Sequence, residues 1–140
     1  MQLRLKLKRL RPDAKLPKRA YDSAGYDLFP CESGTVQPGE RAMIPLGFAT
    51  AFTPGYVAVV DDRGSVGNQG VTHLAGVIDA DFRGEWKCIM HNLGNTPWRY
   101  SPDKAIAQVL FLKVESPDPE VVEELPETAR GAGMLGSSGH

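Results

Sequence analysis

The sequence has few ways to cross-link itself. Among 140 residues there are two cysteines, Cys31 and Cys88, far apart and without CxxC or Cys/His spacing around either. Such thiols fit buried, reduced side chains rather than zinc ligands or a disulfide, which points to a cytoplasmic compartment. There is no unbroken apolar stretch of the kind a signal peptide needs, and no run long enough to span a bilayer. The formal net charge is −1, so no global attraction draws the chain to nucleic acid or to a membrane. Long amphipathic helices are missing too, because 11 prolines and 15 glycines break the chain into short apolar runs.

What remains is a pattern of strands. In "QLRLKLKRL" Leu3, Leu5 and Leu7 alternate with Arg4, Lys6 and Lys8, the period of a half-buried strand with its cations in water. This reading absorbs much of the basic character of residues 1–20, which hold eight Lys/Arg against Asp13 alone. Further strands are expected over 25–30, 41–52, 56–61, 72–78, 84–91 and 105–114, with one short helix around 64–69. "TPG" between "RAMIPLGFATAF" and "YVAVV" reads as a hairpin or a corner. Many short strands with regular turn signals indicate an all-β fold, a sandwich or a jelly-roll-like barrel. Residues 1–114 then form one domain. The acidic, Pro-rich segment 115–129 has little to bury and reads as a linker. Residues 130–140, "RGAGMLGSSGH", are either a flexible leftover or a mobile arm.

Four stretches of the domain carry unusual chemistry. "SAGYDLF" places Asp27 at the start of a strand, where an acid either caps its own backbone or reaches a metal through water. In "VVDDRGSVGNQG" a strand exits into Arg63, Gly64 and Ser65, whose amides, guanidinium and hydroxyl suit an anion, although an ordinary loop uses Gly and Ser as readily. "HLAGVIDADFRGEWK" puts Asp79 and Asp81 after an apolar run. A carboxylate there is either a general base holding a water or part of a plain hairpin turn. Gln108 interrupts the apolar "AIAQVLF", to satisfy backbone or to face a ligand.

Taken in order, "AGYDL", "DRGSVGNQG", "GVIDADFRGE", "AIAQ" and "RGAGMLGSSG" resemble the five motifs of the trimeric dUTPase family, over nearly the whole chain. The resemblance implies a jelly-roll-like β-clip that assembles as a homotrimer, with three active sites built from all three subunits. It implies hydrolysis of dUTP to dUMP and pyrophosphate, which lowers dUTP and supplies dUMP for thymidylate synthesis. Mg²⁺ is held mainly by the triphosphate, as suits a hard cation with oxygen ligands. Asp79 falls at the position of the catalytic carboxylate and Phe82 at that of the aromatic beneath the deoxyribose. The uracil is read by backbone of the hairpin 73–78, which includes His73, Gly76, Val77 and Ile78. Arg63, Gly64, Ser65 and Gln108 match phosphate-contacting positions, Lys87 a strand position credited with ligand contact, and Asp27 one that reaches the metal through water. In the arm, Arg130 matches a phosphate-contacting cation, Leu135 the lid over the base, and Gly136, Ser137 and Ser138 the phosphate cradle.

Four positions depart from the family pattern. Gly64 and Ser65 invert the usual Ser-Gly order, and His73 replaces the usual Asn six residues before the catalytic Asp. Ala105 stands where Arg is usual, and the neighbouring Lys104 would point to the other face of a regular strand. Leu135 replaces a Phe that stacks on the base, giving up ~1 kcal/mol of ring contact. The same fold also supports dCTP deaminases, alone or combined with dUTPase activity, but these need a Glu base on the following strand, where this chain has Ile89. A non-catalytic jelly-roll regulator is the other alternative, and Asp79, Arg63, Gln108 and Arg130 speak against it.

Overall fold

A computed structural model describes residues 2–136. Its elements run β1 (Leu5–Arg9), β2 (Tyr26–Leu28), β3 (Gly34–Val36), β4 (Arg41–Pro45), β5 (Phe48–Phe52) and β6 (Tyr56–Asp61). After a helical turn, α1 (Gly64–Gly67), come β7 (Val71–Leu74), β8 (Val77–Asp79), β9 (Lys87–Asn92), β10 (Trp98–Tyr100) and β11 (Ala107–Lys113). The strands form four antiparallel sheets, in the orders β2-β11-β6-β8, β4-β9-β7, β1-β5 and β10-β3. The fold is the expected all-β clip, and no ladder among the described residues closes it into a continuous barrel. No helix among them is long and apolar enough to cross a membrane.

The core is built from the inward halves of alternating strands. Leu28, Ile44, Leu46, Phe48, Trp86, Met90, Ile106 and Val109 are essentially inaccessible. Each such burial contributes about 1.5–3 kcal/mol. Phe48 and Trp86 pack at 5.1 Å between ring centroids, and the Trp86 indole N–H donates to the Thr50 hydroxyl at 2.9 Å. In β1, Leu5 and Leu7 are half-buried while Lys6 and Lys8 are exposed, as the alternation predicts. Cys88 is buried and Cys31 half-buried, both free; burial pushes the Cys88 thiol up to about 12.

Several boundaries differ from the sequence expectation, each for a reason of pairing. The run 41–52 is two strands, because the chain turns at Leu46 and Gly47 so that β4 can join β9 and β5 can join β1. "TPG" is a corner, since β5 and β6 belong to different sheets. The run 72–78 also divides: β7 pairs with β9, and β8 pairs with β6. Segments β3 and β10, three residues each, are too short for alternation to be read, and the last strand begins at Ala107 rather than 105. Residues 115–130 are exposed throughout and lie outside the regular elements.

The four-stranded sheet has two unlike faces. Ala58, Val60 and Val109 point into the core, while Val57, Val59, Val77, Leu110 and Leu112 stand on the opposite face, half-buried or exposed. At the end of β9 the fully buried Asn92 ties the clip together. Its amide donates to the carbonyls of Val36 (2.9 Å) and Thr96 (2.8 Å), and its oxygen accepts from the Gly94 N–H at 2.9 Å. Asn92→Ala strands three backbone groups without partners, so a loss of about 3 kcal/mol is expected, read as a lower urea midpoint. A midpoint unchanged from that of the parent protein would contradict this role.

Candidate active site

The sharpest local feature is the two-residue connection between β7 and β8. Ala75 and Gly76 both have positive φ, +62° and +114°, a conformation that costs a non-glycine residue such as Ala75 on the order of 1 kcal/mol. Because the two strands belong to different sheets, the edges they turn toward each other form no ladder. An open slot of about 360 Å³ results. Leu74, Gly76, Val77, Ile78, Phe82, Trp86, Lys87 and Ile89 line it, with Asp79 and Glu85 as its carboxylates.

Local packing places each of these groups. Asp79 ends β8 opposite Val57 and is exposed, so its carboxylate can meet a ligand and a water. The next turn is closed by the Phe82 N–H donating to the Asp79 carbonyl (3.1 Å) and by Arg83 donating to the Ala80 carbonyl (2.8 Å). The Phe82 ring lies over Gly84, where a Cβ would come within 2.6 Å of the ring; only glycine leaves it that place. Trp86 is anchored from both sides, its N–H to the Phe48 carbonyl and its carbonyl to the Leu46 N–H, each 2.9 Å. Glu85 is engaged by Arg11, at 2.9 and 3.3 Å.

A second cavity, about 440 Å³, opens beside α1. Its lining includes the cations Arg63, Arg99 and Lys104, the acids Asp27 and Asp103, and the polar Ser65, Gln69, Tyr100 and Ser101. Arg63 immediately precedes the helical turn that the buried Val66 anchors. Its guanidinium donates to Asp27 Oδ1 at 3.0 Å and, through Nη1, reaches Ser65 Oγ and the Ala105 carbonyl at 3.4 Å. Gly64 and Ser65 sit in the first turn, where amides lack helical acceptors and suit an anion. Among the described residues only Arg63 pairs with the Asp27 side chain, and one carboxylate oxygen stays available in a wet, open cavity. That is a fit for a hard cation bound through water.

The structure thus gathers Asp79, Gly76, Val77, Ile78, Phe82 and Lys87 at one cavity, and Asp27, Arg63 and Ser65 at the other. Gln108 lies between Asp27 and Asp61 in the sheet register, and its amide donates to the Asp62 carbonyl at 2.8 Å. The His73 ring is absent from both walls and faces Asp62 instead. Arg130 donates to the Gly133 carbonyl, and Leu135 and Gly136 are exposed, so the arm lies off its own chain's slot. Ser137 and Ser138 lie outside the described residues.

Three contributors escaped sequence reasoning. Alternation sets Lys104 on the face opposite Ala105, but residue 104 lies in the turn before β11, where alternation does not hold, and it lines the second cavity beside Ala105. Arg99 is on β10, too short to recognise. Asp62 is the third. It accepts from the Thr72 hydroxyl (2.6 Å), the His73 N–H (2.9 Å) and His73 Nδ1 (2.8 Å). Asp61, Asp62 and His73 bring potential ligand atoms within 4.8 Å of one another, but both Asp62 oxygens are already hydrogen-bonded.

An all-β clip with an open slot and, apart from it, a charged cavity that holds three cations is a form suited to binding a nucleotide. Comparison with known proteins narrows the class. The dUTPase family model matches residues 13–139. The deoxyuridine 5'-triphosphate nucleotidohydrolase of Corynebacterium diphtheriae is 41% identical over 138 residues, covering 95% of this chain and 91% of its own. Among solved structures, the Staphylococcus bacteriophage 80alpha dUTPase with dUPNHPP superposes with a TM-score of 0.91 at 25% identity, covering 98% and 99% of the two chains. A dUTPase of S. aureus phage phi11, solved with a structural Mg(II) ion, shares the fold with a TM-score of 0.82 at 22% identity, covering 89% and 99%. The chain belongs to the dUTPase family.

Burial alone would raise the Asp62 pKa, but the hydrogen bonds from Thr72 and His73 outweigh it and hold the carboxyl below its usual range. A lowered folded-state pKa contributes stability above the unfolded value of about 3.9, and this is lost as pH falls through the lower folded value. Asp62→Asn is therefore expected to reduce the thermal midpoint at neutral pH and to flatten its decline below about pH 4. Parallel midpoint-against-pH curves for the two proteins would count against the assignment.

Proposed function

We infer that this chain is a dUTP diphosphatase, cleaving dUTP to dUMP and pyrophosphate. The observation that carries the reading is the exposed Asp79 at the mouth of a slot whose facing strand edges are unpaired. A flat base entering edge-on meets backbone groups of residues 74–78. A base whose edge leaves such groups unpaired is rejected. The Phe82 ring supports the sugar, and contact there excludes a ribose 2′-hydroxyl.

Asp79 orients a water and takes its proton as the water oxygen bonds to the α-phosphorus. The bond from that phosphorus to the bridging oxygen breaks, and pyrophosphate leaves with the electron pair. Arg63, Ser65 and Gln108 hold the phosphates, and Arg130 with Gly136, Ser137 and Ser138 closes over them, while Leu135 covers the base. When bound, Mg²⁺ neutralises the triphosphate oxygens, and Asp27 would hold it through water beside Arg63. Lys104 and Arg99 supply positive charge in the cavity where the family's usual Arg is replaced by Ala105.

The two cavities share no lining residue, so one chain carries two partial sites. The outward sheet face of Val57, Val59, Val77, Leu110 and Leu112 offers an apolar surface for further copies. Both features support a homotrimer in which Asp79 of one subunit works beside Arg63 of another, and the exposed segment 115–129 serves as the tether of the arm. A cytoplasmic location accords with the free thiols. Deamination of dCTP is disfavoured: Ile89 is on the slot wall, and Glu85, the second carboxylate there, is committed to Arg11.

Asp79→Asn is expected to bind a non-hydrolysable dUTP analogue while kcat falls by about 10²–10⁴. Pyrophosphate release at the parent rate would remove Asp79 from the chemistry. Deleting residues 130–140 is expected to preserve the assembly in sedimentation and nearly abolish turnover. Full activity without them would make the tail dispensable.

A further inference from the structure

The strained Ala75-Gly76 turn needs something to hold it, because β7 and β8 do not hold each other. Two contacts reach it. The Val60 N–H donates to the Gly76 carbonyl at 2.8 Å, and the His73 ring packs beneath the turn, so that a Cβ at Gly76 would sit 3.2 Å from His73 Cδ2 and 3.1 Å from Val60 Cβ. The ring is itself fixed. His73 Nδ1 lies 2.8 Å from Asp62 Oδ1, which also accepts the His73 backbone N–H, while Thr72 secures Oδ2. A carboxylate acceptor requires the proton on Nδ1.

Asp62 is also the residue before Arg63, and its carbonyl is held by Gln108. One carboxylate therefore joins the end of β6, the β7 strand and the loop that leads into the phosphate cavity. We propose that His73 is a positioning residue: through Asp62 it locks the base-reading turn to the phosphate-binding loop, so that both partial sites of a chain are set as one unit. The proposal rests on reading the slot as the base site. The charged groups facing the ring are Asp61 and Asp62; its β9 partner Met90 and the adjoining Val60 and Gly76 carry none. These same bonds hold the Asp62 carboxyl below its usual range, so the strap persists at neutral pH and loosens as pH falls through that lowered value.

The test is steady-state dUTP hydrolysis by the full chain, with thermal midpoints measured alongside. His73→Ala is expected to raise KM for dUTP at least tenfold with kcat within about twofold, and to lower the dUTP-over-dCTP preference in kcat/KM. His73→Asn, whose side-chain amide can still donate to Asp62, is expected to restore most of the loss. Asp62→Asn is expected to raise KM as His73→Ala does, with the double variant no worse than either single one. If His73→Ala is unfolded, the Asn and Asp62 variants carry the comparison. An unchanged KM in folded His73→Ala, a loss confined to kcat, no rescue by Asn, or additive single effects would each overturn the proposal. Failure of the parent protein to hydrolyse dUTP would instead sink the functional reading beneath it.

Discussion

Two strands joined by the shortest possible connection, but belonging to different sheets, set the terms for the rest of this molecule. A two-residue loop ordinarily makes a hairpin, with both strands hydrogen-bonded across it. Here β9 takes one edge of β7 and β6 takes one edge of β8, so the edges between them are left over. Unpaired backbone groups are tolerated only where water or a ligand can reach them. A wet slot with backbone donors and acceptors on its walls is the consequence. The strain at Ala75, the anchoring of Trp86 and the seat of Phe82 over Gly84 are all arranged around that opening.

Charge is handled in a matching way. Arg63 is not free at the surface but already aligned by Asp27, Ser65 and a backbone carbonyl, which lowers the ordering cost of gripping an anion. Asp62 collects donors from Thr72 and His73, which ties down the loop that leads into the second cavity. The remaining cations, Arg99 and Lys104, come from segments distant in sequence and converge on the same cavity.

Most of the architecture was legible where a pattern is long enough to read. β1 shows its alternation, β6 and β11 their apolar runs, and the single helical turn falls inside the stretch expected for it. Asp79 and Arg63 stood out because charged residues at the ends of apolar strands need a partner or a task. The failures share one cause: alternation assigns faces only inside a paired strand. Lys104 precedes β11, so alternation says nothing of its face. His73 sits on the expected hairpin, but its ring turns away to Asp62, a contact that spans 11 positions and leaves no periodic trace.

Composition, strand periodicity and the order of five short motifs determined that this is an all-β member of the dUTPase family, because those properties are local or linear along the chain. Which edge of β7 pairs, where the slot opens, that Asp62 fastens His73, and that the slot and the second cavity stand apart on one chain were decided only by tertiary structure. Hydrogen-bond partners are chosen by proximity in space, and residues such as Asp62, Arg99 and Lys104 acquire their roles from neighbours that the linear order does not specify.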